Sequence, residues 1–198
     1  MTRQLPPILA LAALIVSACS AVQDWKPPAE RARRWPSRAG FSLYSHAIAD
    51  DWAPHEQQSG LGLDVIVQPR GRRLGFEVIG LLGGDGLLAP GDEPDLVSRF
   101  VGVGAHASFD QDPPIVPFIG VGFAFVDVEV DSPGAVLADQ ADSSVGYYGR
   151  IGLDWIISDA FFVGVAYQAL GGTDVELEGF SSDDVNGDWV LFRVGVGF

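Results

Sequence analysis

Apolar residues recur at every second position in eight stretches of this chain, approximately 40–49, 58–68, 72–82, 97–109, 115–128, 144–157, 160–170 and 188–198. A period of two belongs to extended strands, whose successive side chains point to opposite faces. The segment "VPFIGVGFAFVDV" keeps this alternation throughout, and no stretch shows the three-and-four spacing of an amphipathic helix. The fold class is therefore all-β. Composition agrees: 25 Gly and 11% aromatics accompany a single Met and a single Cys, which favours strands with tight side-chain spacing over long helices. A chain of 198 residues supplies one domain with a sizeable core.

Each stretch is about ten residues long, the length a tilted strand needs to cross a hydrocarbon layer. The connections alternate in length. "PRG" (69–71), "DQDPP" (110–114) and "SD" (158–159) are tight, whereas those near 50–57, 83–96, 129–143 and 171–187 are long. This pattern predicts an eight-stranded antiparallel up-and-down transmembrane β-barrel, with short turns and both termini on the periplasmic side and long loops outside.

The first residues, "MTRQLPPILALAALIVSACSA", carry one positive charge at Arg3, an apolar core from Ile8 to Val16 and then small residues. They read as an export signal, with an apolar core too short for a membrane-spanning helix. Val16-Ser17-Ala18-Cys19 resembles the bacterial lipobox, in which cleavage precedes a cysteine that receives a lipid. Cys19 is the only cysteine, so no disulfide can form within the chain. Lipidation of Cys19 is the expectation, with cleavage after Ala21 as the alternative. The domain plan is signal peptide 1–18, periplasmic linker 19–39 rich in proline and charge, and outer-membrane barrel 40–198.

Parity assigns the faces. Ile119, Val121, Phe123 and Phe125 share one side of the fifth stretch, opposite Gly120, Gly122 and Ala124. Phe161, Val163, Val165 and Tyr167 share one side of the seventh, opposite Gly164, Ala166 and Gln168. The larger apolar set must meet lipid, the reverse of a soluble ligand-binding barrel. The same rule sends Tyr44, His46, Asp64, Glu77, His106, Ser108, Tyr148, Arg150, Asp154 and Arg193 inward. Two arginines thus meet three carboxylates in a lumen too narrow for much besides side chains, which predicts a buried ion-pair network that plugs it.

Charge is segregated along the chain. Lys26, Arg31, Arg33, Arg34 and Arg38 lie in the linker, and Arg70, Arg72 and Arg73 at the first short turn. The acids gather in or beside the long connections, Asp127, Glu129, Asp131, Asp183, Asp184 and Asp188 among them. Basic residues on one side can pair with lipid phosphates, whereas an acidic rim repels nucleic acid and tolerates anionic lipid only through divalent cations. Carboxylate oxygens suit Ca²⁺ or Mg²⁺, although neither "DVEVD" nor "SSDDVNGDW" fits the calcium-loop pattern. No other cofactor is expected. His46 and His55, with Asp50, Asp51 and Glu56 nearby, lack the spacing of a defined metal or acid–base site.

Residues 40–198 resemble the small bacterial outer-membrane barrels of the OmpA, OmpX and OmpW type. The chain finishes on Phe198 with Val196, Val194 and Phe192 alternating behind it, as in that family, although Arg193 stands where family members often have Gly. The resemblance implies that the last strand closes on the first and that Phe198 belongs to a signal read by the barrel assembly machinery. It also implies outer-membrane lipid and lipopolysaccharide as surroundings. The expected role is structural or surface-interactive, through the acidic loops and an unidentified surface partner. An OmpW-like binding or passage of small hydrophobic molecules is the alternative.

A third reading is enzymatic. The chain is similar in strand plan to the lipid A deacylases, whose His-x-Ser-Asn motif lies on a late strand. Here that place reads Tyr167-Gln168-Ala169-Leu170-Gly171. His106-Ala107-Ser108 has the spacing, but Phe109 replaces the Asn and the strand direction puts His106 near the periplasmic end, away from outer-leaflet lipid A. No catalytic residue is therefore assigned.

Overall fold

The computed structural model describes residues 37–48, 57–69, 72–84, 95–109, 114–131, 140–158, 160–175 and 185–198. Eight strands run in chain order: β1 Arg38–Ile48, β2 Gln57–Val67, β3 Leu74–Gly84, β4 Asp95–Ser108, β5 Ile115–Asp131, β6 Gln140–Ile156, β7 Phe161–Gly171 and β8 Gly187–Gly197. Each pairs antiparallel with the next, and β8 returns to β1 with Val194 opposite Phe41, closing the barrel. Closure removes the open edges that would otherwise leave backbone groups unpaired in lipid.

The outer surface is apolar. Phe76 is 73% exposed, Phe123 70% and Phe192 67%, values that make sense only if the solvent they meet is hydrocarbon. On β5 the belt runs from Ile115 to Phe125. Ten strand steps of about 3.4 Å at a tilt near 40° give roughly 25 Å, the height of an outer-membrane apolar band. Exposed Phe76, Phe109, Trp155 and Phe198 crowd the short-turn end, and Tyr147 and Tyr167 lie toward the other rim, where aromatic rings bridge lipid and water.

Beyond Phe125 the polarity of β5 inverts. Val126, Val128 and Val130 are buried inside while Asp127 and Glu129 lie on the outer face. Arg99 and Ser143, the cross-strand partners of Asp127, also face outward. The edge of the lipid belt is therefore written into the strands themselves. Because the period of two continues past it, β5 and β6 stay paired as far as Val130 and Gln140, beyond the ends at 128 and 144 that the alternation of the belt alone suggests. At the other end β1 begins at Arg38, inside the stretch assigned to the linker.

The lumen has two storeys. Arg38, Asp64, Glu77, His106, Ser108, Arg150, Asp154 and Arg193 are buried in the half nearer the short turns, over a small apolar floor of Val116, Ile156 and Phe162. Tyr44, Leu96, Phe100, Val126, Val128, Leu170, Val185 and Trp189 fill the half nearer the long connections.

Candidate functional site

Arg193 on β8 is the centre of the ionic storey. Its guanidinium holds Asp64 through two bonds, Nη2 to Oδ2 at 2.6 Å and Nε to Oδ1 at 3.2 Å, and reaches Asp154 Oδ1 with Nη1 at 2.5 Å. Asp154 in turn accepts from Arg38 Nη1 at 2.7 Å. One carboxylate thus bridges guanidinium groups from β1 and β8, the two strands that close the barrel. Arg193 also lies over the rings of Phe118 at 4.9 Å and Phe162 at 5.2 Å, so its flat faces are covered where its edges are bonded.

Arg38 changes the charge balance. The inward set read from the sequence has two arginines against three carboxylates, and this requires correction: Arg38 belongs to the lumen and not to the linker. Three cations (Arg38, Arg150, Arg193) meet three anions (Asp64, Glu77, Asp154), all buried. A neutral network avoids the cost of an uncompensated charge at low dielectric. The signal was present in the sequence, since Arg38 shares the parity of inward Ser42 and Tyr44; the strand simply begins earlier than its apolar residues do.

Glycines make room for the acids. Gly40 stands directly across from Asp64 and Gly164 across from Asp154. A Cβ on either, or on Gly120, would run into Asp64, Asp154 or Glu77 respectively. Each carboxylate is seated on bare backbone, which lets a short acid lie flat against the wall while the longer arginines cross the lumen.

Glu77 accepts the Tyr148 hydroxyl at 2.9 Å through Oε1 and lies 2.9 Å from His106 Nδ1 through Oε2. His106 Nε2 is 3.0 Å from Ser108 Oγ. This sequence of carboxylate, imidazole and hydroxyl has the connectivity of an activated nucleophile. Its surroundings use it differently. Arg38 Nη2 donates to Ser108 Oγ at 2.6 Å, and Ser108 donates to Gln68 Oε1 at 3.1 Å. The serine hydroxyl thus accepts from Arg38 and donates to Gln68 inside the lumen. Gln68 itself is tied to the turn through the Arg72 carbonyl.

Arg150 is held more loosely than its two counterparts. Its Nε lies 3.4 Å from Glu77 and its Nη2 3.7 Å from Asp64, while its plane sits 5.1 Å from the Phe118 ring. None of its three nitrogens makes a hydrogen bond of good geometry, nor does the buried amide of Gln168 directly across the β6–β7 pair.

The acidic residues of the outer rim are only partly brought together. Arg99 donates to Asp127 at 2.7 Å and to Glu129 at 2.7 Å, so these two carboxylates already share a cation. Asp188 accepts from the exposed Tyr167 hydroxyl. Asp131 ends β5, but its side chain, with Asp183, Asp184 and Cys19, lies outside the described residues. Among the described residues no three acids, histidines or cysteines are grouped to hold a metal. The Phe198 amide donates to the Ser37 carbonyl at 3.0 Å, securing the last residue to the start of the barrel.

No protein-family model matches the chain, and no curated protein matches it. Solved structures do. Neisserial surface protein A superposes with a TM-score of 0.55 at 18% identity, covering 82% of this chain and 96% of that one. The attachment invasion locus protein Ail of Yersinia pestis gives 0.57 at 14% identity, with 82% and 96% covered. The chain has the fold of the small eight-stranded outer-membrane barrels. OprG of Pseudomonas aeruginosa adds a third such barrel at 0.56 and 14% identity, covering 82% and 94%. At these identities the outer-membrane barrel likeness is one of fold, and the lumen side chains must be read on their own chemistry.

Proposed function

We propose that this outer-membrane barrel is a sealed, non-enzymatic scaffold that acts through the loops it displays at the cell surface. The carrying observation is the packed lumen: below, a neutral ionic network; above, an apolar plug with a cavity of about 10 Å³ beside Tyr44, His46 and Trp189. That volume is about one water sphere, which weighs against passage of small hydrophobic molecules. The engaged hydroxyl of Ser108 weighs against deacylation.

Charge segregation supports one orientation. The linker arginines and the first short turn face the periplasmic leaflet, and the acidic long connections face outward, where Ca²⁺ or Mg²⁺ moderates their repulsion from lipopolysaccharide. Cys19 carries the lipid anchor and Phe198 is presented to the assembly machinery. Ail has been solved with the polyanionic heparin analogue sucrose octasulfate; the acid-rich connections here suit a cationic or neutral surface partner instead.

Two measurements test this reading. In planar bilayers the purified barrel, and its Arg150→Ala variant, should show no stable single-channel conductance; steady conductance in the parent protein overturns the sealed lumen. Protease shaving of intact cells should cut within 83–96, 129–143 or 171–187. Cutting only after permeabilisation, with surface labelling equally negative, overturns the display of loops.

A further inference from the structure

The lipid-facing wall carries a depression toward its long-connection end. A groove of about 510 Å³ runs across β2, β3 and β4. Its floor is Gly80, which by parity faces outward with Phe76, Val78 and Leu82, and a Cβ placed there would meet nothing within 4 Å. Leu63 on β2 and Val101 on β4 are its direct register partners and form the two walls. Neighbouring strands lie about 4.8 Å apart, so the absent side chain clears a slot one side-chain column wide. Gly149 is also an outward glycine with open space above it, but its partners are Val121 and Ala169, and the alanine leaves one side without a wall.

The upper end of the groove is polar. Val101 pairs with Phe125, the last outward apolar residue of β5, and Arg99 pairs with Asp127 above it, so the groove starts at the edge of the belt and descends into it. Arg99 lines the groove and stands opposite Leu82. Among the described residues its guanidinium bonds Asp127 and Glu129, which uses two of its five N–H groups.

We propose that this groove is a binding site for one acyl chain of lipid A, lying over Gly80 between Leu63 and Val101 with its carbonyl end and headgroup at Arg99. A slot one column wide admits a linear chain, which fills the space that an unbranched aliphatic side chain would take. Between protein and lipid hydrocarbon no hydrophobic effect drives association, so preference comes from packing and polar bonds. A chain in the slot touches protein on three sides, and Arg99 supplies donors where the chain leaves the belt. Asp127 and Glu129 flank the headgroup end, so a divalent cation accompanies the lipid phosphates. The assignment to lipid A rests on the orientation proposed above, which puts the Arg99 end in the outer leaflet; the slot itself does not depend on it.

Native mass spectrometry of the purified barrel in detergent micelles, with Mg²⁺ and either lipid A or phosphatidylglycerol added, tests the site. The parent protein should retain one lipid A per barrel, and Gly80→Leu, which fills the slot, should lower that fraction severalfold. Gly149→Leu adds the same side chain at the position that lacks a second wall and should leave the fraction at the parent's level. Equal retention by the parent and Gly80→Leu, or an equal drop for Gly149→Leu, overturns the proposal. Retention of phosphatidylglycerol in place of lipid A, with the same loss on Gly80→Leu, overturns the choice of lipid, whereas the display of loops fails separately, in the shaving experiment. If Gly80→Leu does not refold, Leu63→Ala combined with Val101→Ala removes both walls and should give the same loss; undiminished retention there also overturns the site.

Discussion

The two halves of the lumen close the same barrel with opposite chemistries. In the lower half, long charged side chains cross a space cleared by Gly40, Gly120 and Gly164 and bind one another edge to edge. In the upper half, Leu96, Phe100, Val126, Val128 and Trp189 interdigitate as in the core of a water-soluble protein. The difference follows the outside. On β5, where Ile119, Val121, Phe123 and Phe125 face lipid, the interior receives Gly120, Gly122 and Ala124. Above Phe125 the outer face carries Asp127, Glu129 and Arg99, and the interior can take the valines. Ionic packing fixes which side chain meets which, since each bond has a direction; apolar packing fixes only volume and shape.

Substitutions in the two storeys should break this contrast in different ways. The largest loss is expected for Arg193→Ala, which leaves Asp64 with only the long contact to Arg150 and Asp154 with Arg38 alone, and should cost about 3–5 kcal/mol in urea unfolding from micelles. Restoring neutrality tests the cause: Arg193→Met with Asp64→Asn should recover part of that loss, and no recovery would mean that packing rather than charge dominates. In the apolar storey Leu191→Ala leaves a void but no stranded charge, and should cost about 2–4 kcal/mol in the same assay. Arg150→Met sharpens the comparison within the ionic half. Because Arg150 contacts Glu77 and Asp64 only at 3.4 and 3.7 Å, without good hydrogen bonds, its loss should be smaller, roughly 1–2 kcal/mol. The smallest effect is expected for Arg99→Gln on the exposed rim, where water competes with both carboxylates and the midpoint should be unchanged. A drop for Arg99→Gln as large as that for Arg150→Met would show that the rim is part of the stabilising core.

Much of the lumen can be read from parity. Asp64, Glu77, Arg150, Asp154 and Arg193 all occupy the inward face that period-two counting gives them, because a single residue of slip would turn every one of them into lipid. Arg38 escaped because a strand was bounded by its apolar residues, and those start later than its backbone pairing with Ile66 and Gly197. The apolar storey was hidden for a related reason. Val126, Val128 and Val130 sit on the small-and-polar side of β5, and only the appearance of acids at Asp127 and Glu129 signals that the roles of the faces have exchanged.

What the sequence determined by itself is local: extended structure, eight crossings, short and long connections in alternation, and the side of the wall on which each residue lies. All of these follow from a strand's fixed period and from the length of a lipid layer. What only the tertiary structure decided is who meets whom inside. Asp154 joins Arg38 and Arg193, 116 and 39 residues away along the chain, and Gln58 comes to face His46 beneath Trp189. Those pairings depend on the stagger with which β8 closes on β1 and on which glycines open space across the lumen, quantities that no single strand contains.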